Sequence, residues 1–333
     1  MRCMGAYRYK PLDIGKMRTC SIHQRRSKVE IHEFAQLYQQ GSGITGLLRS
    51  LPKILTGQEF RTVVEAILNA RSKGKLVIWG LGAHVVKCGL SPILIDLMQR
   101  GFISALSING ASAIHDFEIA MVGSTSEDVE KALLEGDFGT SEETGQWMNE
   151  AIKQGVNAGL GVGESLGSYL RQYPDRFPFA TYSLLASAYS QDIPVTVHIA
   201  LGTDTIHNHP GADGSALGKG SLQDFRLLTS LVRDLHDGGV FLNCGSAVIL
   251  PEVFLKTVNM VRNLGYPLEN FTTVNLDFQQ HYRPVQNVVK RPTSKSGQGV
   301  SLTGHHELMV PLLAASLIES GMEKALPRDI KIL

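Results

Sequence analysis

Short apolar segments that alternate with longer amphipathic ones are the feature that most constrains the fold of this chain. The segments "KLVIWG", "FISALSIN", "IPVTVHIA", "GGVFLNC" and "FTTVNLDF" predict five strands. Between and after them lie segments such as "SLQDFRLLTSLVRDLHDG" that predict helices. Strands separated by helices form a parallel sheet that is covered on both faces. We therefore predict an α/β fold with a mostly parallel sheet.

Capping residues and glycines set the predicted helix ends. The segment "GLLRSLPKILTGQEFRTVVEAILNARSKG" predicts a helical region that stops at Gly74. Ser91 is the predicted N-cap of the helix in "SPILIDLMQRG", and Ser126 is the predicted start of the helix in "SEDVEKALLEG". A further helical stretch is predicted over 140–190.

Charge distinguishes the beginning of the chain from the rest. Residues 1–30 hold eight Lys and Arg residues against two acids, whereas the net charge of the whole chain is +1. We interpret 1–44 as a basic arm and lead-in that lies on the molecule or on a neighbouring subunit, with nucleic-acid binding as the alternative. Residues 45–333 are predicted to form one domain. The overall charge gives no argument for a nucleic-acid or membrane partner.

Cysteine spacing and hydropathy indicate the compartment. The four cysteines are scattered, without the spacing of a zinc site, and are interpreted as reduced thiols. The first thirty residues lack the apolar core of a signal peptide, and no run reaches transmembrane length. We expect a cytoplasmic protein.

Ligand sites of parallel sheets lie outside the carboxyl ends of the strands. The five segments at these ends, 80–89, 109–116, 198–213, 243–246 and 275–281, are rich in Gly, Asn, His or Asp. The first has Gly80 and Gly82 where a phosphate would need close backbone approach. It departs from GxGxxG because Val85 stands at the third glycine position, so a nucleotide loop and an ordinary turn both remain open.

Histidines and lysines supply the other candidate groups. "HIALGTDTIHNHPGADG" carries His198, Asp204, His207, His209 and Asp213, which suit either a divalent metal or hydrogen bonds to an amine or ribose. No helical His-x-x-x-His pattern supports a metal, and we predict none. Three loop lysines could form a Schiff base or be solvated charges: Lys87, Lys219 and Lys290. His305 and His306 precede an apolar helix, where a capping role and a catalytic role are both open.

The stretch "GLGAHVVKCGLSPILIDLMQRGFISALSINGASAIHDFEIAMVGSTSEDV" resembles the deoxyhypusine synthase family, in particular its bacterial deoxyhypusine synthase-like branch. "HYRPVQNVV" and "TGHHELMVPLLAASL" extend the resemblance, which runs from about residue 12 to the end of the chain. It implies a Rossmann-like sheet, a homotetramer built from tight dimers, and NAD bound near subunit interfaces. It also implies transfer of an aminobutyl group from a polyamine such as spermidine, through an imine on an enzyme lysine, to an acceptor amine.

The resemblance assigns roles residue by residue. Lys290 in "NVVKRP" is the positional match for the imine-forming lysine, although the family's tryptophan is absent and its glutamate becomes Gln286. His115 is the alternative to Asp116 as ribose partner, and Lys219 stands where the family has an aspartate. The implied cofactor-binding residues are Gly82, Ala83, Lys87, Asn109, Gly110, Asp116, Asn243, Gly245 and His305. The implied substrate-binding residues are His207, Asp213, Asp224 and Asp277.

The amine pocket departs most from the family pattern, since the substrate histidine falls among Val248, Ile249 and Leu250. The leading interpretation is therefore an NAD-dependent alkylamine transferase acting on a small amine. Authentic deoxyhypusine synthase activity on a translation-factor lysine is the alternative. Two readings of other classes remain: a non-catalytic NAD-binding protein, and a metal-dependent amidine hydrolase built on His207, His209 and Asp213.

Overall fold

A single parallel sheet organises the protein, whose computed structural model describes residues 9–322. Its six strands lie in the order β3-β2-β1-β4-β5-β6, and all five neighbouring pairs are parallel. The strands are β1 Val77–Leu81, β2 Ala105–Asn109, β3 Val195–His198, β4 Val240–Cys244, β5 Thr272–Asp277 and β6 Gln298–Thr303. The predicted parallel α/β sheet is confirmed.

Helices cover both faces of the sheet. Alternate residues of β1 and β4 point to opposite faces of the sheet. On one face, Trp79 and Leu242 join a large apolar cluster with α2 (Leu55–Ser72) and α13 (His306–Met322). On the other face, Ile78 and Phe241 join a smaller cluster with α10 (Gly214–Arg233) and α11 (Ile249–Asn263). In the described part of the chain no helix is both long and apolar enough to cross a membrane. The α-helices are α1 Gly43–Ser50, α2 Leu55–Ser72, α3 Ala83–Lys87, α4 Ser91–Gln99, α5 Gly110–Val122, α6 Val129–Glu135, α7 Glu142–Asn157, α8 Val162–Gln172, α9 Leu184–Ser190, α10 Gly214–Arg233, α11 Ile249–Asn263, α12 Tyr282–Pro284 and α13 His306–Met322. Short 3₁₀ turns span Ile22–Gln24, Ile31–Glu33, Ala180–Tyr182 and Thr205–Asn208, and a π-helix spans Val285–Lys290.

The sixth strand is absent from the sequence prediction. β6 has the sequence "QGVSLT", in which only Val300 and Leu302 are buried. This half-exposed pattern is typical of an edge strand, and it lacks the continuous apolar run that marks the central strands. Its presence places His305 and His306 just beyond a strand end, at the same edge of the sheet as the other five strand-end loops.

Several predicted helix boundaries are corrected. The first predicted helical region is two helices, because Pro52 cannot continue α1 and Leu55, the first residue of α2, has a left-handed φ of 50°. Ser91 is the first residue of α4 rather than its N-cap, which is Leu90. The N-cap of α6 is Asp128, whose side chain accepts a hydrogen bond from the Lys131 N–H, and not the region of Ser126.

Most side chains of residues 9–42 are exposed, including the apolar residues Leu12 and Leu37. Its backbone hydrogen bonds to the following segment include those from the Gln36 N–H to the Ser50 carbonyl and from the Lys53 N–H to the Glu33 carbonyl. The division into a basic arm, 1–44, and one domain, 45–333, stays a prediction, and residues 1–8 and 323–333 lie outside the described residues.

Two buried aspartates tie helices together rather than facing the site. The Asp116 carboxylate in α5 accepts hydrogen bonds from the Ser183 hydroxyl and from the N–H groups of Leu184 and Leu185, which begin α9. The Asp224 carboxylate in α10 accepts from the N–H groups of Gly163 and Val197. Both carboxylates thus have structural partners, and the assignments of Asp116 to a ribose and of Asp224 to substrate stay predictions.

Replacing Asp116 by Ala should destabilise the protein strongly. Burial raises the pKa of Asp116 to about 6 even though three hydrogen bonds favour its charged form. Without the carboxylate, three buried donors lose their acceptor, and we expect the free energy of unfolding to fall by about 3 kcal/mol or more. Urea unfolding at neutral pH measures this. The control is Asp128→Ala, which removes an exposed N-cap and should cost about 1 kcal/mol; equal losses in the two variants would contradict the role given to Asp116.

Candidate functional site

The sheet reverses its strand order between β1 and β4, and ligands of open parallel sheets bind at such a point. The two strand ends come very close there. The Gly82 N–H donates to the Cys244 carbonyl, and a Cβ added at Gly82 would lie 2.1 Å from the carbonyl oxygen of Gly245. Gly245 itself has a left-handed φ of 73°. Both glycines are therefore required by the backbone path where a ligand site is expected.

Buried polar atoms without a partner collect at this edge of the sheet. Nine buried side-chain nitrogen and oxygen atoms of the described residues make no hydrogen bond. Four of the nine lie in or next to the ends of β3, β4 and β6: Asp204 Oδ2, His207 Nε2, Asn243 Oδ1 and His306 Nδ1. Because buried polar groups are nearly always satisfied, these four atoms are candidates for contact with a ligand.

Asp204 and His207 form the most developed part of the site. His207 Nε2 lies 4.0 Å from Asp204 Oδ2, and both side chains are almost buried. His207 Nδ1 accepts a hydrogen bond from the Gly202 N–H, so the neutral imidazole carries its proton on Nε2 and points it towards the carboxylate. A Cβ at Gly110 would lie 1.9 Å from Asp204 Oδ2, so the carboxylate packs directly on the start of α5.

Burial governs the protonation of this pair. It raises the pKa of Asp204 to about 6, against a lowering contribution from the Thr203 hydroxyl, and it lowers the pKa of His207. At neutral pH the carboxylate is mostly charged and the imidazole is neutral. The pair can therefore hold a cationic amine or exchange a proton with it.

A cavity of about 440 Å³ adjoins the same loop, between α10 and α11. His198 to Leu201 form one wall, and the remaining lining is largely apolar, with Phe225 and Val248 among its residues. His198 is buried, which lowers its pKa to about 3, and it hydrogen-bonds to Thr196. The lining also includes Glu252, and a largely apolar cavity with an acid in its wall suits the methylene chain of a small amine.

The ends of β5 and β6 form the opposite side of the site. Asp277 Oδ1 lies 3.9 Å from His306 Nε2, which also lies 3.3 Å from the Leu276 carbonyl oxygen. Burial lowers the pKa of His306, and the charge of Asp277 opposes this. His305 is exposed and stacks on Phe278. Of the predicted pair, His306 therefore supports the strand end, while His305 is accessible.

Other predicted residues divide between the site and the scaffold. Asn109 caps α5 by accepting from the Ser112 N–H, and Asp213 caps α10 by accepting from the Ser215 N–H. Asn243 donates to the Ser246 carbonyl and to Asn275 Oδ1, so its amide braces two strand ends. Ala83 and Lys87 lie in α3, directly after Gly82. These residues are at the predicted edge of the sheet, but Asp213 and Asn243 already have structural partners.

His209 and His115 have local partners. His209 Nδ1 accepts from the Gly211 N–H, and His115 Nδ1 lies 2.7 Å from the Thr125 hydroxyl. Within residues 9–322, His207, His209 and Asp213 do not converge on one point as metal ligands would. Nothing in the arrangement of these three residues favours the amidine hydrolase reading.

Lys290 lies apart from the strand-end residues. It is the exposed last residue of the π-helix, which leads back to the start of β6. The neighbouring Val289 carbonyl oxygen would lie 2.0 Å from a Cβ at Gly299, the second residue of β6, and the Pro292 carbonyl accepts from Arg262 at the end of α11. Lys290 is thus at the amino ends of the strands, and its role as imine-forming lysine stays a prediction.

Sequence reasoning did not assign Asp204 to the site, although it noted the residue. The available signal was the spacing Asp204-x-x-His207 after a predicted strand, which a 3₁₀ turn brings onto one side. The approach of His84 in α3 and Cys88 at its C-cap to Glu307 in α13 was also missed, because Glu307 is more than two hundred positions away in the sequence.

Comparisons with known proteins concern the fold. Unliganded AgrE has a similar structure, with a TM-score of 0.51 and 16% identity over 82% of this chain and 34% of AgrE. A "putative deoxyhypusine synthase" from Entamoeba histolytica aligns over 86% of this chain and 96% of that chain, with a TM-score of 0.49 and 13% identity. ArgZ, a cyanobacterial arginine dihydrolase, has a TM-score of 0.47 and 14% identity over 81% of this chain.

The class that these findings and the sheet define is a Rossmann-like α/β fold shared with AgrE. The chain spans about a third of the length of AgrE and ArgZ. No protein-family model matches the sequence, and no curated protein matches it. At these identities the likeness shows the fold alone, and the predicted family membership remains a proposal.

Asp204→Asn should change how stability depends on pH. Because the pKa of the buried carboxyl is raised to about 6, the folded state holds its proton more tightly than the unfolded state does. The Asp204 carboxyl therefore makes its whole contribution to the free energy of unfolding below pH 4, and this contribution is lost as the pH rises through 6. The variant lacks this loss, so its stability relative to wild type should rise by roughly 2–3 kcal/mol between pH 4 and pH 8. Urea unfolding of both proteins at the two pH values measures it; a constant difference would contradict the assignment.

Proposed function

We propose that this protein is an NAD-dependent enzyme of the deoxyhypusine synthase type, which transfers an aminobutyl group from a polyamine such as spermidine to an acceptor amine. The observation that carries the proposal is the buried pair Asp204 and His207, unpartnered beside Gly110 at an edge of the sheet suited to a dinucleotide. The AgrE structure with ornithine and NAD⁺ concerns a different amine, and we treat that amine as a competing substrate.

The place where the strand order reverses is the position proposed for a dinucleotide. Gly82 and Gly245 let the ends of β1 and β4 approach closely there, and Gly110 lets the Asp204 carboxylate pack against the start of α5. Ala83, Lys87, Asn109 and His305 are the further residues that we propose to contact NAD. Bound there, NAD would accept a hydride from the carbon beside an amine nitrogen and return it at the end of the reaction.

The protein's own groups would manage charge and protons. We propose that Asp204 holds the ammonium group of the substrate, since a nearly buried carboxylate with a free oxygen attracts a cation strongly. The free oxygen of Asp204 would also take the proton that the amine must lose before it becomes an imine, while the His207 Nε2–H lies 4.0 Å from that carboxylate. Asp277, buried across the site, is the proposed second anionic contact for a polycation.

Authentic deoxyhypusine synthase activity remains the main alternative and differs only in the acceptor, a lysine of a translation-factor precursor. A non-catalytic NAD-binding protein is the alternative of another class. Both are separated from the proposal by the product that forms.

Release of 1,3-diaminopropane tests the proposal directly. We expect the protein, incubated with NAD, spermidine and putrescine, agmatine or a precursor peptide as acceptor, to release 1,3-diaminopropane with at least one of them. Ornithine replaces spermidine in a parallel reaction followed by NADH absorbance. NAD binding without product would indicate the non-catalytic reading, and absence of NAD binding would overturn the proposal.

Asp204→Asn should lower kcat/KM for the amine donor by on the order of 100-fold, because the variant cannot hold a cation or take a proton. The matched control is Asp213→Asn in the same loop, whose carboxylate caps α10 and should leave kcat/KM within a few-fold of wild type. Steady-state kinetics with varied donor concentration measures both. Equal effects in the two variants would show that the loop as a whole matters and not the Asp204 carboxylate.

Lys290 can serve as imine-forming lysine only from a neighbouring subunit, since it lies at the opposite edge of the sheet from Asp204. We propose a homotetramer with sites at subunit interfaces. Mixed oligomers of inactive Lys290→Ala and inactive Asp204→Asn chains should then recover about a quarter of the wild-type activity per site, because some interfaces combine two intact surfaces. Full activity of Lys290→Ala alone would remove Lys290 from the mechanism.

A further inference from the structure

Three side chains of types that bind metals converge beside the carboxyl ends of β1 and β4, where the strand order reverses. His84 and Cys88 lie four positions apart along α3 and its C-cap, and His84 Nε2 is 3.2 Å from Cys88 Sγ. Glu307, in the first turn of α13, places Oε2 3.9 Å from the same sulfur. The three ligand atoms all lie within 4.8 Å of one another, the one such group found among residues 9–322.

We propose that His84, Cys88 and Glu307 bind one divalent transition-metal ion of the Zn²⁺ class. Nothing in the proposed amine chemistry requires this site, so the inference stands independently of that function.

The spacing matches tetrahedral coordination. Ligands about 2.0–2.3 Å from a zinc ion at tetrahedral angles are separated from each other by roughly 3.3–3.6 Å. The separations of Cys88 Sγ from His84 Nε2 and from Glu307 Oε2, 3.2 Å and 3.9 Å, bracket that range, so small rotations of the exposed His84 and Glu307 side chains complete the geometry. A thiol together with an imidazole favours zinc over Mg²⁺ or Ca²⁺, which prefer oxygen ligands.

The electrostatics favour a cation over a nucleophilic thiol. The Cys88 sulfur faces a carboxylate oxygen, Glu307 Oε2, whereas a catalytic cysteine needs a positive environment. A metal ion between the sulfur and the carboxylate would relieve this repulsion and take the thiolate as its ligand. His305 Nδ1 lies 3.8 Å from Glu307 Oε1, which leaves Oε2 as the oxygen that faces Cys88.

The location suggests an open coordination position. His84 and Glu307 are exposed, and the His84 ring lies edge-on to His306, which in turn packs against Gly245. Three protein ligands and an accessible fourth position are the pattern of catalytic zinc sites, in which water or a substrate atom completes the shell.

Cobalt and zinc binding test the inference. The full-length reduced protein, treated with chelator and dialysed, is titrated with Co²⁺ alone and then with Zn²⁺ against a chromophoric chelator. We expect one ion per chain and a thiolate-to-cobalt charge-transfer band in the near ultraviolet. Cys88→Ser should abolish the band, and His84→Ala and Glu307→Gln should each weaken Zn²⁺ binding by more than the ~10- to 100-fold that loss of a supporting residue costs.

Cys20→Ser is the matched control, since Cys20 is an exposed thiol far along the chain from this cluster and should leave band and affinity unchanged. Far-ultraviolet circular dichroism and thermal unfolding show that each variant is folded, as expected for substitutions of exposed or half-buried side chains. A band that survives in Cys88→Ser, or Zn²⁺ affinities that are equal in all variants, would overturn the proposal. These readouts do not depend on catalysis, so they remain valid if the proposed function is wrong.

Discussion

The contact between Gly82 and Gly245 is the constraint on which the candidate site depends. The carbonyl of Gly245 occupies the space that any Cβ at Gly82 would need, and the left-handed backbone of Gly245 turns the chain away from β4. This lets α3 and α11 leave neighbouring parallel strands in different directions. Polar groups can then lie together at one edge of the sheet, on the ends of β1 and β4, the start of α5 and the loop after β3. A side chain at Gly82 or Gly245 would disturb this close approach of the strand ends.

Buried carboxylates show how similar residues acquire different roles. Asp116, Asp204 and Asp224 are all buried, and burial raises the pKa of each, to about 6 or 7. Two of them repay much of that cost with backbone N–H donors that join helices. Asp204 Oδ2 and Asp224 Oδ1 both lack a hydrogen bond, and Asp204 Oδ2 also lies 4.0 Å from an equally unpartnered nitrogen of His207. A charge kept buried without full compensation is expected where function outweighs stability.

The parallel sheet and its ligand edge could be predicted because they depend on local patterns. Continuous apolar runs identify central strands, and the carboxyl ends of parallel strands share one edge whatever the loops contain. The edge strand β6 was missed because half of its side chains face solvent. The roles of Asp116 and Asp224 could not be predicted, since an aspartate that caps a distant helix and one that binds a ligand look alike in a sequence. Only the fold brings Ser183 to Asp116 and Val197 to Asp224.

Position within the sheet also limits what the resemblance to deoxyhypusine synthase can transfer. The matched lysine, Lys290, is the last residue of the π-helix, and the preceding Val289 lies against Gly299 near the start of β6. By contrast, Cys88 and Glu307, which no motif highlighted, meet at the carboxyl edge because β6 ends there and α13 begins beside α3. A residue's match to a family pattern states what chemistry it could perform, but the strand end at which it lies decides which reactants it can reach. In one subunit, a ligand bound where the strand order reverses between β1 and β4 would reach Asp204 and His207 on one side. On the other side it would reach His84, Cys88 and Glu307.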